Sequence, residues 1–385
     1  MGNILEIKNL VVNFYTYEGV VKALNDVSFS VDHGSTFGLV GESGCGKSVT
    51  ARAIMRIIQE PGRIESGQVI LYPETVDGNG SVDLLKQSEA YMEDLRGNQI
   101  SMIFQEPNAA LNPIMSIGDQ VAESFLFHQK QILCETILSE LSDGQHRPSK
   151  AVLMCLKTIY GKAADDGDSF FFKLLGSVPF LRNWDRRLKS VAIRRAVSLI
   201  GKLGIPQPER IVNLYPHNLS GGMKQRIVIA IGLASNPLLL IADEATSNLD
   251  VTIQAQILEL LKILKKDGIS SILLITHDLG VVAETCDRVG VMYAGNICEI
   301  ADVREVFEAP LHPYTRALLK SVPKINQDDR LASIPGNVPN LVNPPSGCRF
   351  HPRCMAALPI CRHEAPALVN AHGRHLVACH NSSVA

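Results

Sequence analysis

The sequence has almost no charge imbalance: 37 Lys and Arg stand against 39 Asp and Glu, leaving a net charge of −2. That near-balance argues against a chain built chiefly to hold nucleic acid, which calls for a basic excess or a basic stripe and leaves room here only for a local patch. Aromatics are scarce, at 5% with one tryptophan, Trp184. Long apolar runs are missing: LLLIA at 238 to 242 is far too short to span a bilayer. The start, MGNILEIKNLVV, lacks the basic segment and apolar core of a secretory leader, and position six is not the Ser or Thr that myristoylation needs. The chain is therefore expected to be cytosolic, reaching a membrane only by docking to integral partners. Nine cysteines in such a chain argue for free thiols or metal ligands rather than disulfides. No internal repeat is present.

What is there is an ordinary core-forming composition, 46% hydrophobic and 20% charged over 385 residues, enough for one large domain or two or three smaller ones. Residues 4 to 41 read as strands, and TFGLVG looks like a buried run. A helix is predicted from Lys47, with Ala51, Ile54, Ile57 and Ile58 on one face. ISMIF near 100 to 104, PLLLIAD and SSILLIT are apolar without alternation, as in parallel strands covered on both faces. A helix carries Ile253, Ile257, Leu260, Leu261 and Leu264 at the 3.6-residue period. VGVMYAG and NICEI read as strands around a turn at Gly295. Strands alternating with helices predict an α/β fold with a mainly parallel sheet. From about 128 to 190 the pattern breaks into an insertion that includes FFFKLLGSVPFL, read as a packed helix pair rather than a lipid or partner contact. Beyond 322 the composition turns to proline and polar residues, placing a boundary between a large N-terminal domain, 1–322, and a cysteine-rich extension, 323–385.

Three motifs carry chemistry. GESGCGKS, 41 to 48, follows a predicted strand and opens a predicted helix, the setting in which G-x-x-x-x-G-K-[ST] cradles phosphates with backbone N–H groups. Lys47 is suited to the β- and γ-phosphates and the Ser48 hydroxyl to Mg²⁺. LLLIADE ends an apolar strand in two carboxylates, Asp243 for Mg²⁺ and Glu244 as general base for water. NLSGGMKQR places Ser220 at a helix N-cap followed by Gly221 and Gly222, an uncrowded anion-binding end.

Together these motifs resemble the ATP-binding cassette family, the nucleotide-binding subunits of ABC transporters, over roughly residues 4 to 320. The resemblance implies a P-loop ATPase domain with a mainly parallel core, an N-terminal antiparallel β subdomain, and a helical signature subdomain at about 106 to 235. It implies nucleotide contacts from Gly41, Ser43, Gly44, Cys45, Gly46, Lys47, Ser48 and Val49, with Tyr15 or Tyr17 stacking on adenine. Gln105 corresponds to the glutamine that joins the Mg²⁺ site to the membrane partner, Ser220-Gly221-Gly222 to the signature, Asp250 to the D-loop of Asn248-Leu249-Asp250, and His277 to the switch histidine. In this family two ATPases sandwich each ATP between one subunit's phosphate loop and the other's signature. Departures are Met223 for the usual glutamine, Ala245 for the usual proline, and Ser247-Asn248 where this branch often has Thr-Ala. None of them replaces Glu244, so hydrolysis is expected.

ESGCGKSVTARAIMRI, MIFQEPNAALNPIMSIGDQVAE, YPHNLSGGMKQRIVIAIGLASNP, HPYTRALLKSVP and the tail GCRFHPRC…VACH narrow the resemblance to oligopeptide and dipeptide importer ATPases, a branch that also includes nickel importers. The resemblance implies two integral-membrane permease subunits, a second related ATPase (heterodimer or homodimer), an extracellular solute-binding protein, no nucleic acid, and a peripheral place on the cytoplasmic face of the cell membrane. Cys348, Cys354, Cys361 and Cys379 are separated by five, six and seventeen residues. Four thiolates suit an iron–sulfur cluster or tetrahedral zinc, though the paired C-x₂-C of most zinc sites is absent. The resemblance shifts the choice from Zn²⁺ toward [4Fe–4S]. Without a metal, so proline-rich a tail is expected to have trouble folding, and His351, His363 and His380 read as solvated loop residues. The competing readings are a soluble ABC ATPase acting on nucleic acid and an exporter ATPase; the neutral charge weighs against the first and the cysteine tail against the second.

Overall fold

The computed structural model describes residues 2–73, 80–143, 182–245, 251–266, 271–321 and 334–381. Most of the insertion, with FFFKLLGSVPFL, and the Asn248-Leu249-Asp250 segment lie outside them. Two compact units emerge: residues 1–96, 238–248 and 254–385 form the first, 97–237 and 249–253 the second.

The first unit holds two sheets. β1 (Asn3–Thr16) pairs antiparallel with β2 (Gly19–Asp32) and with β4 (Gly62–Leu71), and β5 (Val82–Asp83) closes the order β2-β1-β4-β5. Leu5, Ile7, Leu10 and Val12 of β1 are fully buried. The other sheet is built on parallel neighbours: β3 (Thr36–Val40) between β8 (Ser271–Thr276) and β9 (Arg288–Tyr293), with β7 (Leu239–Asp243) beyond β8. Every residue of β3, β7, β8 and β9 is buried, which is why their sequences show no alternation. β10 (Asn296–Asp302) returns antiparallel along β9 through Ala294 and Gly295, both at positive φ, the tight turn expected at Gly295.

The tail does not stand apart, as a boundary near 322 implies. β12 (His375–Val377) pairs with β10, Glu299 opposite Val377, and β11 (Val369–His372) pairs with β12, so the tail widens the main sheet. Its anchor is Phe350, buried against Tyr293, Tyr314 and His312 with ring centroids 5.1, 5.3 and 5.8 Å away. A second anchor is polar. Glu299, wholly buried, accepts from the Leu311 and His312 amides at 2.7 and 3.0 Å and pairs with the equally buried His375 at 2.6 Å. Few apolar residues suffice here because each is placed at the sheet edge, and the buried carboxylate is matched donor for acceptor.

The second unit is helical. β6 (Ile100–Ile103) precedes helices Pro107–Ala110, Ile117–His128, Lys130–Asp143, Arg182–Lys202, Pro208–Ile211 and Gly221–Leu233. Val121, Phe125, Ala192, Ala196 and Ile229 are among its buried residues.

His312 supplies a pH test. Burial holds its pKa down at about 4, against a weaker upward pull from Glu299. An unfolded chain binds that proton near pH 6.5, so between these values the unfolded state carries more protons and stability falls as pH drops. Denaturant midpoints measured from pH 7 to 4 are expected to decline across this window, and His312→Asn to flatten that part of the decline. An unchanged slope in the variant would refute the assignment.

Candidate functional site

The parallel register sets the site. Val40 lies level with Thr276 and Val291, and Asp243 level with Ile275, so the segments leaving β3, β7 and β8 emerge at one edge. The carboxyl edge of such a sheet is where ligands of open α/β folds sit.

After β3 the chain enters GESGCGKS and then the helix Lys47–Ile54. Two glycines are required by space as well as by φ. A Cβ on Gly41 (φ 157°) would meet the Met292 carbonyl oxygen at 2.1 Å, and one on Gly46 (φ 106°) would meet Leu24 at 2.7 Å and the Ala23 oxygen at 2.9 Å. Cys45 is buried behind the loop, where burial pushes its thiol pKa up, so it packs rather than reacts. Lys47 is buried, and its Nζ donates to the Gly41 and Glu42 carbonyls at 2.8 and 3.1 Å. The Glu42 amide donates to the Tyr314 hydroxyl at 3.0 Å.

Ser48 and Asp243, 195 residues apart in sequence, are joined by a 2.9 Å hydrogen bond from Oγ to Oδ1. Asp243 is 3% exposed. Burial raises its pKa, the Ser48 hydrogen bond opposes that, and the Glu244 charge adds to it. A hydroxyl and a carboxylate oxygen side by side are hard donors, the kind Mg²⁺ takes, and a bound cation would favour the ionised form of Asp243. The pair therefore fits the ion that the motif implies.

Glu244 extends the ladder by one residue, donating its amide to Ile275 O at 2.9 Å, and then turns at φ 48°. A non-glycine residue there is uncommon, and such backbone concentrates at functional sites. Its Oε1 lies 3.4 Å from Nδ1 of His277, which is more than half exposed just past β8. Asp278, not singled out by the sequence reading, fixes that turn. Its Oδ1 accepts from the Gly280 and Val281 amides at 2.8 and 3.3 Å, capping the Leu279–Thr285 helix, and its own amide donates to Thr276 Oγ1 at 3.0 Å. An aspartate directly before LGVV was the available signal.

In the second unit Gln105 is exposed after β6. Ser220 is exposed at the N-cap of the Gly221–Leu233 helix, its Oγ accepting from the Met223 amide at 3.4 Å. A Cβ on Gly221 would meet nothing within 4 Å, whereas one on Gly222 would meet Ile253 at 2.8 Å. Lys224 donates to Asn108 at 2.9 Å, tying the signature helix to the segment after Gln105.

The two candidate aromatics part company. Tyr15 donates its hydroxyl to Glu65 at 2.8 Å and lies under the Arg63 guanidinium, whereas Tyr17, in the β1–β2 turn, is 98% exposed. In the tail, the Cys348 amide donates to the Cys361 carbonyl at 2.9 Å. Burial pushes the Cys348 thiol up to about 11, against a hydrogen bond from the Phe350 backbone and with smaller contributions from the neighbouring cysteines. Burial also raises Cys354 and Cys379. His351 and His380 each have a backbone carbonyl partner. Among the described residues no group of three or more His, Cys, Asp or Glu side chains is arranged to hold a metal ion.

Residues 24–247 match the model of a family described as ABC transporter. The chain belongs to the ABC transporter family. Residues 298–361 of this ABC protein match the oligopeptide/dipeptide transporter C-terminal region, which includes Cys348, Cys354 and Cys361. The oligopeptide transport ATP-binding protein OppD of Bacillus subtilis (strain 168) is 41% identical over 377 residues, covering 97% of this chain and 87% of that protein. The dipeptide transport ATP-binding protein DppD of the same organism is 38% identical over 381 residues, 98% of this chain and 95% of that protein. Among solved structures, the post-hydrolysis dimer of the ATP-binding cassette MJ0796 bound to ADP and Pi superposes with a TM-score of 0.54 at 21% identity, covering 78% of this chain and 99% of that one, which establishes the fold. As an ABC ATPase this chain hydrolyses ATP.

Removing the cap at the switch turn should cost about 1 kcal/mol of stability. Asp278→Ala is accordingly expected to melt somewhat lower and to lose kcat while KM for ATP stays near the parent value, because His277 loses its fixed approach to Glu244. Steady-state ATPase kinetics read this, and an unaltered kcat would show that the cap does not govern the histidine.

Proposed function

We propose that this chain powers import of peptides or similar small solutes across the cytoplasmic membrane, as the ATP-hydrolysing subunit of an ABC importer. The observation that carries the reading is the cluster at one sheet edge: a glycine loop with Lys47, Ser48 bonded to Asp243, and Glu244 facing His277. Near-full-length similarity to proteins named for oligopeptide and dipeptide transport supports the substrate class.

The roles follow from the chemistry. Backbone N–H groups of Gly41 and of residues 43 to 49 and the Lys47 ammonium would hold the phosphates, and Ser48 with Asp243 would hold Mg²⁺, which when bound neutralises charge on the transferred phosphoryl group. Glu244 is the base for the attacking water, and His277, 3.4 Å from that carboxylate, would contact the terminal phosphate. Tyr17, free of competing contacts, is the better adenine platform. Ser220, Gly221 and Gly222 present an open helix end, suited to nucleotide held by a second ATPase chain. Gln105 and Asp250 keep the roles the resemblance gave them. No described helix is long and apolar enough to cross a membrane. Two permease subunits, a related ATPase and an external binding protein would complete the assembly, with this chain peripheral on the cytoplasmic face.

We further assign Cys348, Cys354, Cys361 and Cys379 to a [4Fe–4S] cluster. The soft donor set supports this, and the thiols would have to close from their present arrangement to hold it. No step of hydrolysis runs through the cluster.

Glu244→Gln should bind ATP yet turn over at least about a hundredfold more slowly. Undiminished ATPase activity would remove Glu244 as the base. Anaerobic pull-down from native membranes should bring two multi-span permeases and a second ATPase, whereas recovery of soluble partners or nucleic acid alone would defeat the importer reading. Iron and acid-labile sulfide in the anaerobically purified chain should fall in Cys354→Ser; zinc in their place would favour the zinc site, and unchanged metal content would defeat both.

A further inference from the structure

The second residue of the phosphate loop is gripped by the cysteine-bearing tail. Arg353, 311 positions from Glu42, meets its carboxylate through both terminal nitrogens, Nη1 to Oε2 at 2.7 Å and Nη2 to Oε1 at 3.1 Å. Such bidentate pairing fixes orientation as well as charge. The guanidinium is fully engaged: Nε donates to the Pro335 carbonyl at 2.8 Å, Nη2 to the Ile334 carbonyl at 3.3 Å, and Nη1 to the Tyr293 hydroxyl at 3.3 Å, over whose ring it also lies. The Arg353 side chain is 5% exposed.

Glu42 is thereby held at three points. Arg353 takes its carboxylate, Tyr314 its amide, and Lys47, the phosphate-binding lysine, its carbonyl. A second tail arginine acts on the other side of the loop. Arg349 donates to the Ala294 and Lys22 carbonyls, and Gly295, the residue after Ala294, donates its amide to the Cys45 carbonyl within the loop at 2.8 Å. Arg353 adjoins Cys354 and Arg349 adjoins Cys348, so each arginine anchor is covalently next to a tail cysteine.

We propose that Arg353 is a positioning residue for ATP: by clamping Glu42 it pre-forms the phosphate loop and makes nucleotide affinity depend on the placement of the cysteine tail. The physical basis is pre-organisation. A loop whose amides must converge on phosphates binds more weakly by the fraction of time it spends in other shapes. Releasing Glu42 costs that fraction, and leaves a part-buried carboxylate without its partner. Hydrolysis of ATP already bound draws on Glu244 and His277, on other strands, and does not depend on the clamp.

The inference rests on ATP occupying this loop, which titration of the wild-type chain tests by itself. With the full-length chain, Arg353→Gln is expected to raise the ATP Kd about tenfold, in the range of ordinary site-to-site coupling, and Glu42→Gln to do the same from the loop side. The double variant should bind no more than about twofold weaker than the poorer single one, since both remove one interaction. kcat at saturating ATP should stay within about twofold of wild type. Arg353→Lys, which keeps the charge but loses the fork, should lie between. A tail anchor with only a structural role would lower the melting temperature and leave Kd unchanged; that result, or additive losses in the double variant, overturns the proposal. If Arg353→Gln fails to fold, Glu42→Gln alone decides by the same Kd criterion. A wild-type chain that binds no ATP would instead bring down the ATPase reading and this proposal with it.

Discussion

The parallel pairing of β3, β8 and β7 is the constraint on which the site depends. Hydrogen-bond register, not side-chain contact, brings the phosphate loop, Asp243, Glu244 and His277 to one edge. It aligns Val40 with Thr276 and Ile275 with Asp243. Because all three strands are buried on both faces, slipping one by a residue would shift every side chain on it to the wrong face. The chemistry is held in place by the same packing that holds the core.

Much of that site was legible in the sequence because the chemistry is carried by backbone. A glycine-lysine-serine loop between strand and helix has few other uses, and an apolar strand ending in Asp-Glu at the right remove has few other meanings. Residues that act through the fold were harder to see. Asp278 is an ordinary capping aspartate until its turn is seen to hold His277 near Glu244. Arg353 and Glu42 are common surface residue types, 311 positions apart, with no local pattern linking them. Tyr15 and Tyr17 differ in their surroundings because of where β1 ends. Thr16 is its last residue, so Tyr17 falls into the turn and stays open, while Tyr15 is claimed by Glu65 and Arg63.

The fold shows the same division. Strand and helix periods gave the α/β class and the helical subdomain. The composition of the tail marks it off as an extension but does not show how it joins the main sheet. Its attachment uses one aromatic, Phe350, the buried Glu299–His375 pair and the arginines Arg349 and Arg353, and its last strands extend the main sheet. A count of apolar residues cannot register where they land, and a buried carboxylate–imidazole contact is invisible to a hydropathy pattern.

The left-handed turn at Glu244 has a consequence for how this protein tolerates change. Glycine would adopt that φ without cost, and relieving such a conformation is a recognised route to a sturdier fold. A screen that rewards only thermal resilience would therefore find at position 244 an attractive substitution that removes the carboxylate proposed as the base. At this one position robustness and turnover select opposite residues.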